Sequence, residues 1–131
     1  MATDHAPHSS EEKDCNFSEA SFGTIGLETA LSLGLKLVNE GKIDIFSLIE
    51  KLTSNPARIF SFKDRGNILE NYLADIIVVD PDLKWKFSQE DIESKSKNSP
   101  FLNMELKGRA RTVVSKGRVL VDDFKLIGDC L

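Results

Sequence analysis

The feature that most constrains this chain is a single change of hydrophobic period. Between Thr24 and Phe60 apolar residues recur at helical spacing, with Leu27, Leu31, Leu35 and Val38 on one face of a 3.6-residue repeat. From Leu73 onward the pattern becomes a continuous β-branched run, Ile76-Ile77-Val78-Val79, followed by alternating segments. Helices therefore come first and strands second, and no strand precedes the first helix. At 131 residues the chain has room for one domain with a real core. It cannot contain a complete (β/α)₈ barrel, which takes about 250 residues.

Local signals set the expected boundaries. Thr24 is expected to cap the first helix, with Glu28 in its first turn and Gly41 just past its end. Gly34 inside that helix costs about 1 kcal/mol relative to alanine. Asp44 should cap a second helix that buries Ile45, Leu48, Ile49 and Leu52. Asn55-Pro56 should start a third, with proline in its first turn. Leu73 to Asp80 reads as a strand buried on both faces and ended by Pro81, and Lys84 to Phe87 as a short strand. Thr112 to Val121 reads as a hairpin turning at Lys116-Gly117. Residues 9–21 and 88–100 are polar and read as loops.

Composition excludes several classes. Seventeen basic residues against 21 acidic ones leave a net charge of −4, which gives no support for nucleic acid or an anionic membrane as partner. No run approaches the ~18 apolar residues of a membrane span. The polar start has no apolar signal-peptide core. Cys15 and Cys130 lie far apart and form no framework, so two reduced thiols in a cytoplasmic protein are expected.

The chemistry concentrates at the beginning, in Ala2-Thr-Asp4-His5-Ala-Pro7-His8. One carboxylate and two imidazoles within five residues could hold a metal or move protons. Pro7 prevents a regular helix, so these side chains project from a bent loop. On spacing alone the plainer reading is a polar tail that happens to hold two histidines. A catalytic zinc needs three protein ligands and an open position. With two histidines in the chain, a binuclear site cannot be assembled from these residues. The other notable side chains have plainer readings: Trp85 and the phenylalanines as packing, Lys95 and Lys97 as solvated surface, and Glu28 as a helix-start charge.

The ATDHAPH segment resembles the motif of the cyclic amidohydrolases, and dihydroorotase of the longer bacterial type in particular. Other stretches agree in order: Phe22-Gly23-Thr-Ile-Gly26-Leu27-Glu28-Thr29, Leu52-Thr53-Ser-Asn55-Pro56-Ala57-Arg-Ile-Phe60, Gly66-Asn-Ile-Leu, Ala74-Asp75-Ile-Ile-Val-Val-Asp80 and Ser94 to Phe101. With the Lys116-Gly117 hairpin, the resemblance covers about residues 2–121. It departs from the usual pattern at Asn71-Tyr72 and Ser61-Phe62, where glycines are common.

This resemblance implies an α/β fold class, the C-terminal fragment of an amidohydrolase barrel. Asp4 would stand at the end of the eighth barrel strand, helices would close the barrel, and strands of a small β-sandwich domain would follow. Residues 1–62 would belong to the barrel and 63–131 to the β-rich composite domain. Asp4 would contact zinc and exchange a proton with the metal-bound hydroxide. His8 would bind the substrate carboxylate, and Phe22 and Gly23 would contact the pyrimidine ring. His5 belongs to the motif without an assigned role.

The implied reaction is reversible closure of N-carbamoyl-L-aspartate to dihydroorotate, in pyrimidine biosynthesis. The remaining zinc ligands, a His-x-His pair, a modified lysine and later histidines, would lie upstream of Met1. The chain is therefore expected to begin inside the eighth strand and to be inactive alone. The complementary part could come from a separate chain. Alternatives are a non-catalytic remnant that partners aspartate carbamoyltransferase, or a fragment of an allantoinase or hydantoinase. TDHAPH, Phe-Gly and NSPF favour dihydroorotase.

Overall fold

The computed structural model describes residues 1–127. Its helices are α1 (Ser10–Lys13), α2 (Ala30–Asn39), α3 (Ile45–Leu52) and α4 (Ser54–Ile59). Its strands are β1 (Ile76–Lys86), β2 (Glu105–Ser115), β3 (Arg118–Asp122) and β4 (Lys125–Leu126). Helices precede strands, as the change of period requires. The strands form one antiparallel sheet in the order β1-β2-β3-β4. Cys15 is exposed, whereas Cys130, and with it the expected pair of reduced thiols, lies outside the described residues.

Where local chemistry decides, the expected elements form. The Asp44 carboxylate accepts from the Ser47 amide at 2.9 Å and caps α3. Lys116 and Gly117 take φ of 48° and 78°, so a two-residue turn with both residues left-handed joins β2 to β3. Gly34 lets the helices approach closely, since a Cβ there would lie 2.6 Å from Leu48 Cδ1.

Several boundaries differ from the sequence expectation, and β2 begins at Glu105, well before the expected hairpin. The first long helix begins at Ala30, not Thr24, because Thr24 and Ile25 spend their backbone groups elsewhere. Thr24 forms a parallel bridge to His5, and the Ile25 amide donates to the Asn98 carbonyl at 3.0 Å. Glu28 is thus not a helix-start charge. The third helix starts two residues before Pro56, with Thr53 rather than Asn55 at its cap position. A short helix, α1, occupies part of the polar 9–21 stretch. Ser9 and Glu12 form a reciprocal capping box at its start.

The strand expected to stop at Pro81 runs through it to Lys86. Its register slips between Asp80 and Lys84, and the Asp80 carboxylate takes the Asp82 and Leu83 amides at 3.0 Å each. β1 is also not buried on both faces, for Ile77 is 50% and Val78 54% exposed.

The core lies between the sheet and the segments that cross it. Ile25, Phe87, Ile92 and Leu106 are its centre, with Leu33, Trp85 and Phe101 packed around them. Helix α2 lies against β2, and Leu35 of the expected stripe is buried there, whereas Leu27 is exposed. Leu35 therefore packs on the chain's own sheet, while the rest of the stripe is only partly covered. Of the expected packing aromatics, Phe87 is fully buried and meets Trp85 edge to face, but Phe46, Phe60 and Phe62 are exposed. Arg109 lies over the Trp85 ring at 4.4 Å and pairs with Asp91 at 2.8 Å.

Candidate functional site

The motif residues are held by a backbone pairing rather than by a long element. His5 bridges to Thr24 in parallel, and the Ala6 amide donates to the Thr24 carbonyl at 2.9 Å. The Gly26 amide donates to His5 Nδ1 at 3.1 Å, which places the proton of the neutral imidazole on Nε2. His5 thus joins the motif to residues 24–26, a role its place in the sequence did not disclose.

Asp4 sits just before this pairing with φ of 49°, exposed, and its carboxylate has no hydrogen bond or ion pair among the described residues. A non-glycine residue in the left-handed region costs of order 1–3 kcal/mol unless its surroundings fix it. His8 follows Pro7 and is half-buried. Its Nδ1 lies 3.6 Å from Glu12 Oε2. The Ser9 amide holds the Glu12 carboxyl below its ordinary value, so Glu12 stays charged beside the imidazole.

Phe22 and Gly23 form the opposite segment. The Phe22 side chain is 91% exposed. Gly23 has φ of 116°, and a Cβ there would lie 2.5 Å from Ala6 Cβ, so only glycine lets this loop lie against the motif. The Gly23 carbonyl accepts from Lys13 Nζ at 2.6 Å and from Asn98 Nδ2 at 3.1 Å. Lys13 also donates to the Ser21 carbonyl at 2.5 Å. The Asn98 contact spans 75 positions and the two Lys13 contacts 8 and 10, and no spacing rule finds them.

His8 opens onto a cleft of about 760 Å³, lined also by Lys13, Asp14, Lys95, Lys97 and Asn98. The lining carries three lysines and one aspartate, and the charged Glu12 carboxylate lies beside His8 at its rim. Lys97 is not simply solvated, since its Nζ donates to the Ile92 carbonyl at 2.6 Å. Asp4, Phe22 and Gly23 do not line this cleft.

Glu28 is half-buried behind the loop. Burial works against its charge, but the Ser94 hydroxyl and amide outweigh it and hold the carboxyl below its ordinary value. Its second oxygen, Oε2, is buried without a partner, as is the neighbouring Thr29 hydroxyl.

The donor set does not complete a metal site. Among the described residues no three His, Cys, Asp or Glu side chains gather closely enough to hold an ion. His5 Nδ1 is occupied by the Gly26 amide, so Asp4 is the carboxylate of the motif left for such a role. No helix among these residues is long and apolar enough to cross a membrane.

Comparison with known proteins agrees with the motif. The chain is 48% identical over 120 residues to a dihydroorotase of Geobacter sp. (strain M21), covering 92% of this chain and 28% of that protein. It is 47% identical over 124 residues to a dihydroorotase of Clostridium acetobutylicum, covering 94% of this chain and 29% of that protein. It thus spans less than a third of the length of these curated relatives. A D-hydantoinase structure from Bacillus sp. AR9 superposes with a TM-score of 0.84 at 27% identity, covering 95% of this chain and 28% of that one. The helices-then-sheet arrangement is accordingly a piece of the amidohydrolase architecture. Residues 1–120 match the model of the amidohydrolase family, and the chain belongs to that family.

Proposed function

We propose that this chain is the C-terminal part of a dihydroorotase, acting in the reversible closure of N-carbamoyl-L-aspartate to dihydroorotate. The observation that carries this reading is the pairing of His5 with Thr24, which seats the Asp4–His8 motif beside the Phe22–Gly23 loop in a chain 48% identical to a dihydroorotase. Residues 1–62 would contribute to the barrel side of the enzyme and 63–131 to its small β-rich domain.

In ring closure the ureido nitrogen attacks the side-chain carboxyl carbon, a C–N bond forms as a C–O bond breaks, and the departing oxygen leaves as water with the nitrogen's proton and one from solvent. The exposed Asp4 carboxylate, free of internal partners among the described residues, takes the nitrogen proton and returns it in the opening direction. His8, on the cleft it shares with Lys95, holds the substrate's other carboxylate. Phe22 and Gly23 border the ring. Zinc is the family reading's cofactor, and Asp4 would be this chain's contribution to it. The residues described here do not make up the rest of that site.

The partner reading follows from the same frame. The small molecule is the substrate, and the macromolecular candidates are a separate chain supplying the remaining ligands or aspartate carbamoyltransferase. A cytoplasmic location suits this role.

Titration of ¹⁵N-labelled chain with dihydroorotate, hydantoin and allantoin tests the proposal. Dihydroorotate should perturb His8, Phe22 and Gly23 at lower concentration than the other two. Equal perturbation by all three, or a preference for hydantoin, would favour a hydantoinase-type origin, to which the 0.84 superposition also points.

A further inference from the structure

We infer that Lys13 is a positioning residue: it sets the hydrogen-bonding polarity of the Phe22–Gly23 loop by tying up the two carbonyls that flank Phe22. The inference rests on Phe22 and Gly23 as the ligand-contacting pair. Lys13 Nζ donates to the carbonyls of Ser21 and Gly23 at 2.5 and 2.6 Å. Asn98 Nδ2 supplies a second donor to the Gly23 carbonyl, which saturates its two lone pairs. The Ser21 amide is also occupied, donating to the Glu12 carbonyl at 3.1 Å.

Among the described residues, the Phe22 amide, the Phe22 carbonyl and the Gly23 amide remain without partners. Lys13 therefore decides which groups the loop can offer. The Phe22 carbonyl and the Gly23 amide belong to one trans peptide and point opposite ways, so no single edge uses both. Two free amides against one free carbonyl make the loop chiefly a donor, which suits a carbonyl oxygen of a cyclic imide or ureide. Without the clamp, the Ser21 and Gly23 carbonyls would be free as acceptors, and the loop would lose that donor bias.

The clamp is anchored independently of the loop. The Ser9–Glu12 capping box fixes α1, and Glu12 of the same turn faces His8. One helical turn thus links the proposed carboxylate-binding histidine to the ring-binding loop. An ammonium bonded to carbonyls makes charge-assisted hydrogen bonds, stronger than neutral ones and reached without a buried counter-ion.

Chymotrypsin cleavage of the full chain tests this without requiring activity. Phe17 and Phe22 are 93% and 91% exposed, so cleavage after Phe17 is an internal reference for cleavage after Phe22. Lys13→Met should raise the Phe22-to-Phe17 ratio about tenfold, as loss of a charge-assisted bond from a local opening equilibrium predicts. Lys13→Arg, whose fork can still span two carbonyls, should restore the low ratio. Dihydroorotate titration should show a weaker Gly23 amide response in Lys13→Met and recovery in Lys13→Arg, a change that a merely stabilising lysine would not produce.

An unchanged ratio in a folded Lys13→Met protein overturns the inference. So does a ligand response equal to that of the parent chain. Should Lys13→Met also open the buried Phe87 to cleavage, Asn98→Ala decides by the same ratio, with a smaller rise expected. If the parent chain ignores dihydroorotate while the ratio still rises, the substrate assignment fails and the positioning role of Lys13 stands.

Discussion

The Ser32 hydroxyl on α2 donates to the Gly108 carbonyl on β2 at 2.6 Å, across 76 positions of sequence. Trp85 Nε1 reaches the same carbonyl at 3.2 Å. Gly108 lies at the slip in β1–β2 pairing, with φ of 85°, and a Cβ there would strike Leu35. One peptide unit therefore locks helix to sheet. Ser32→Ala should cost about 1 kcal/mol, because Trp85 still satisfies the carbonyl. Gly108→Ala should cost more, about 2–4 kcal/mol, through backbone strain and overpacking together. Urea midpoints of the two variants check the order.

The Asp91–Arg109–Trp85 cluster should shape the acid limb of stability. Burial opposes the Asp91 charge, but the Ser88 amide and hydroxyl and the Arg109 guanidinium hold its carboxyl below the ordinary value of 3.8. A depressed native value means that the folded chain binds fewer protons. The stabilisation is then fully present above the unfolded value and is lost as pH falls through the native one. Asp91→Asn should lower stability at neutral pH, and its deficit should shrink on acidification below about pH 4. Denaturation midpoints across that range measure it, and a deficit independent of pH would contradict the assignment.

At the loop, Gly23→Ala should be among the most damaging single changes to the site. It adds a Cβ at φ of 116° and 2.5 Å from Ala6, between the two segments that the proposed function requires together. Loss of protection at the Ala6 amide, which donates to Thr24, is the expected hydrogen-exchange signature. A loss confined to the segments around Ala6 and Thr24 separates this effect from global unfolding.

How much of this was readable beforehand varies with the range of the interaction. The Asp44 cap and the Lys116-Gly117 turn are local, and the sequence discloses both. The true start of α2 was hidden because Thr24 and Ile25 bond to His5 and Asn98, which no local propensity reports. The Ser9–Glu12 capping box is local too, but its four-residue helix has no apolar stripe to mark it among polar neighbours. Asp4, His8, Phe22 and Gly23 are candidates that only the resemblance singles out. Lys13, which touches both sides of their loop, carries no spacing signal.

Purified chain with added zinc should not turn over N-carbamoyl-L-aspartate or dihydroorotate above a protein-free control. The reason is the donor set: Asp4 gathers no further ligand-type side chains around it among the described residues. Zinc should bind no tighter than to a short peptide carrying Asp4, His5 and His8, since a site that is not preorganised gains little over one. Stoichiometric zinc surviving dialysis, or measurable turnover, would count against this.

The exposed apolar surface leads to the final expectation, that the chain associates in solution. Phe46 and Ile49 of α3, Ile59 and Phe60 at the end of α4, and Ile77 and Val78 of β1 are all exposed. Each such side chain left wet forgoes about 1.5–3 kcal/mol, against a net domain stability of about 5–15 kcal/mol. The edge of β1 away from β2 pairs with no strand among the described residues, which invites strand addition. Its slips at Val78/Val79 and around Pro81 blunt part of that edge, leaving Ile76 to Val78 in regular pairing register. Sedimentation should therefore show concentration-dependent association, with hydrophobic-dye binding that falls as the oligomer forms. Phe46→Ser with Phe60→Ser should weaken both, whereas Val78→Lys should weaken association through the sheet edge. A monomer at all concentrations, with a sharp melt and no dye binding, would mean that these faces cost the chain far less than their area implies.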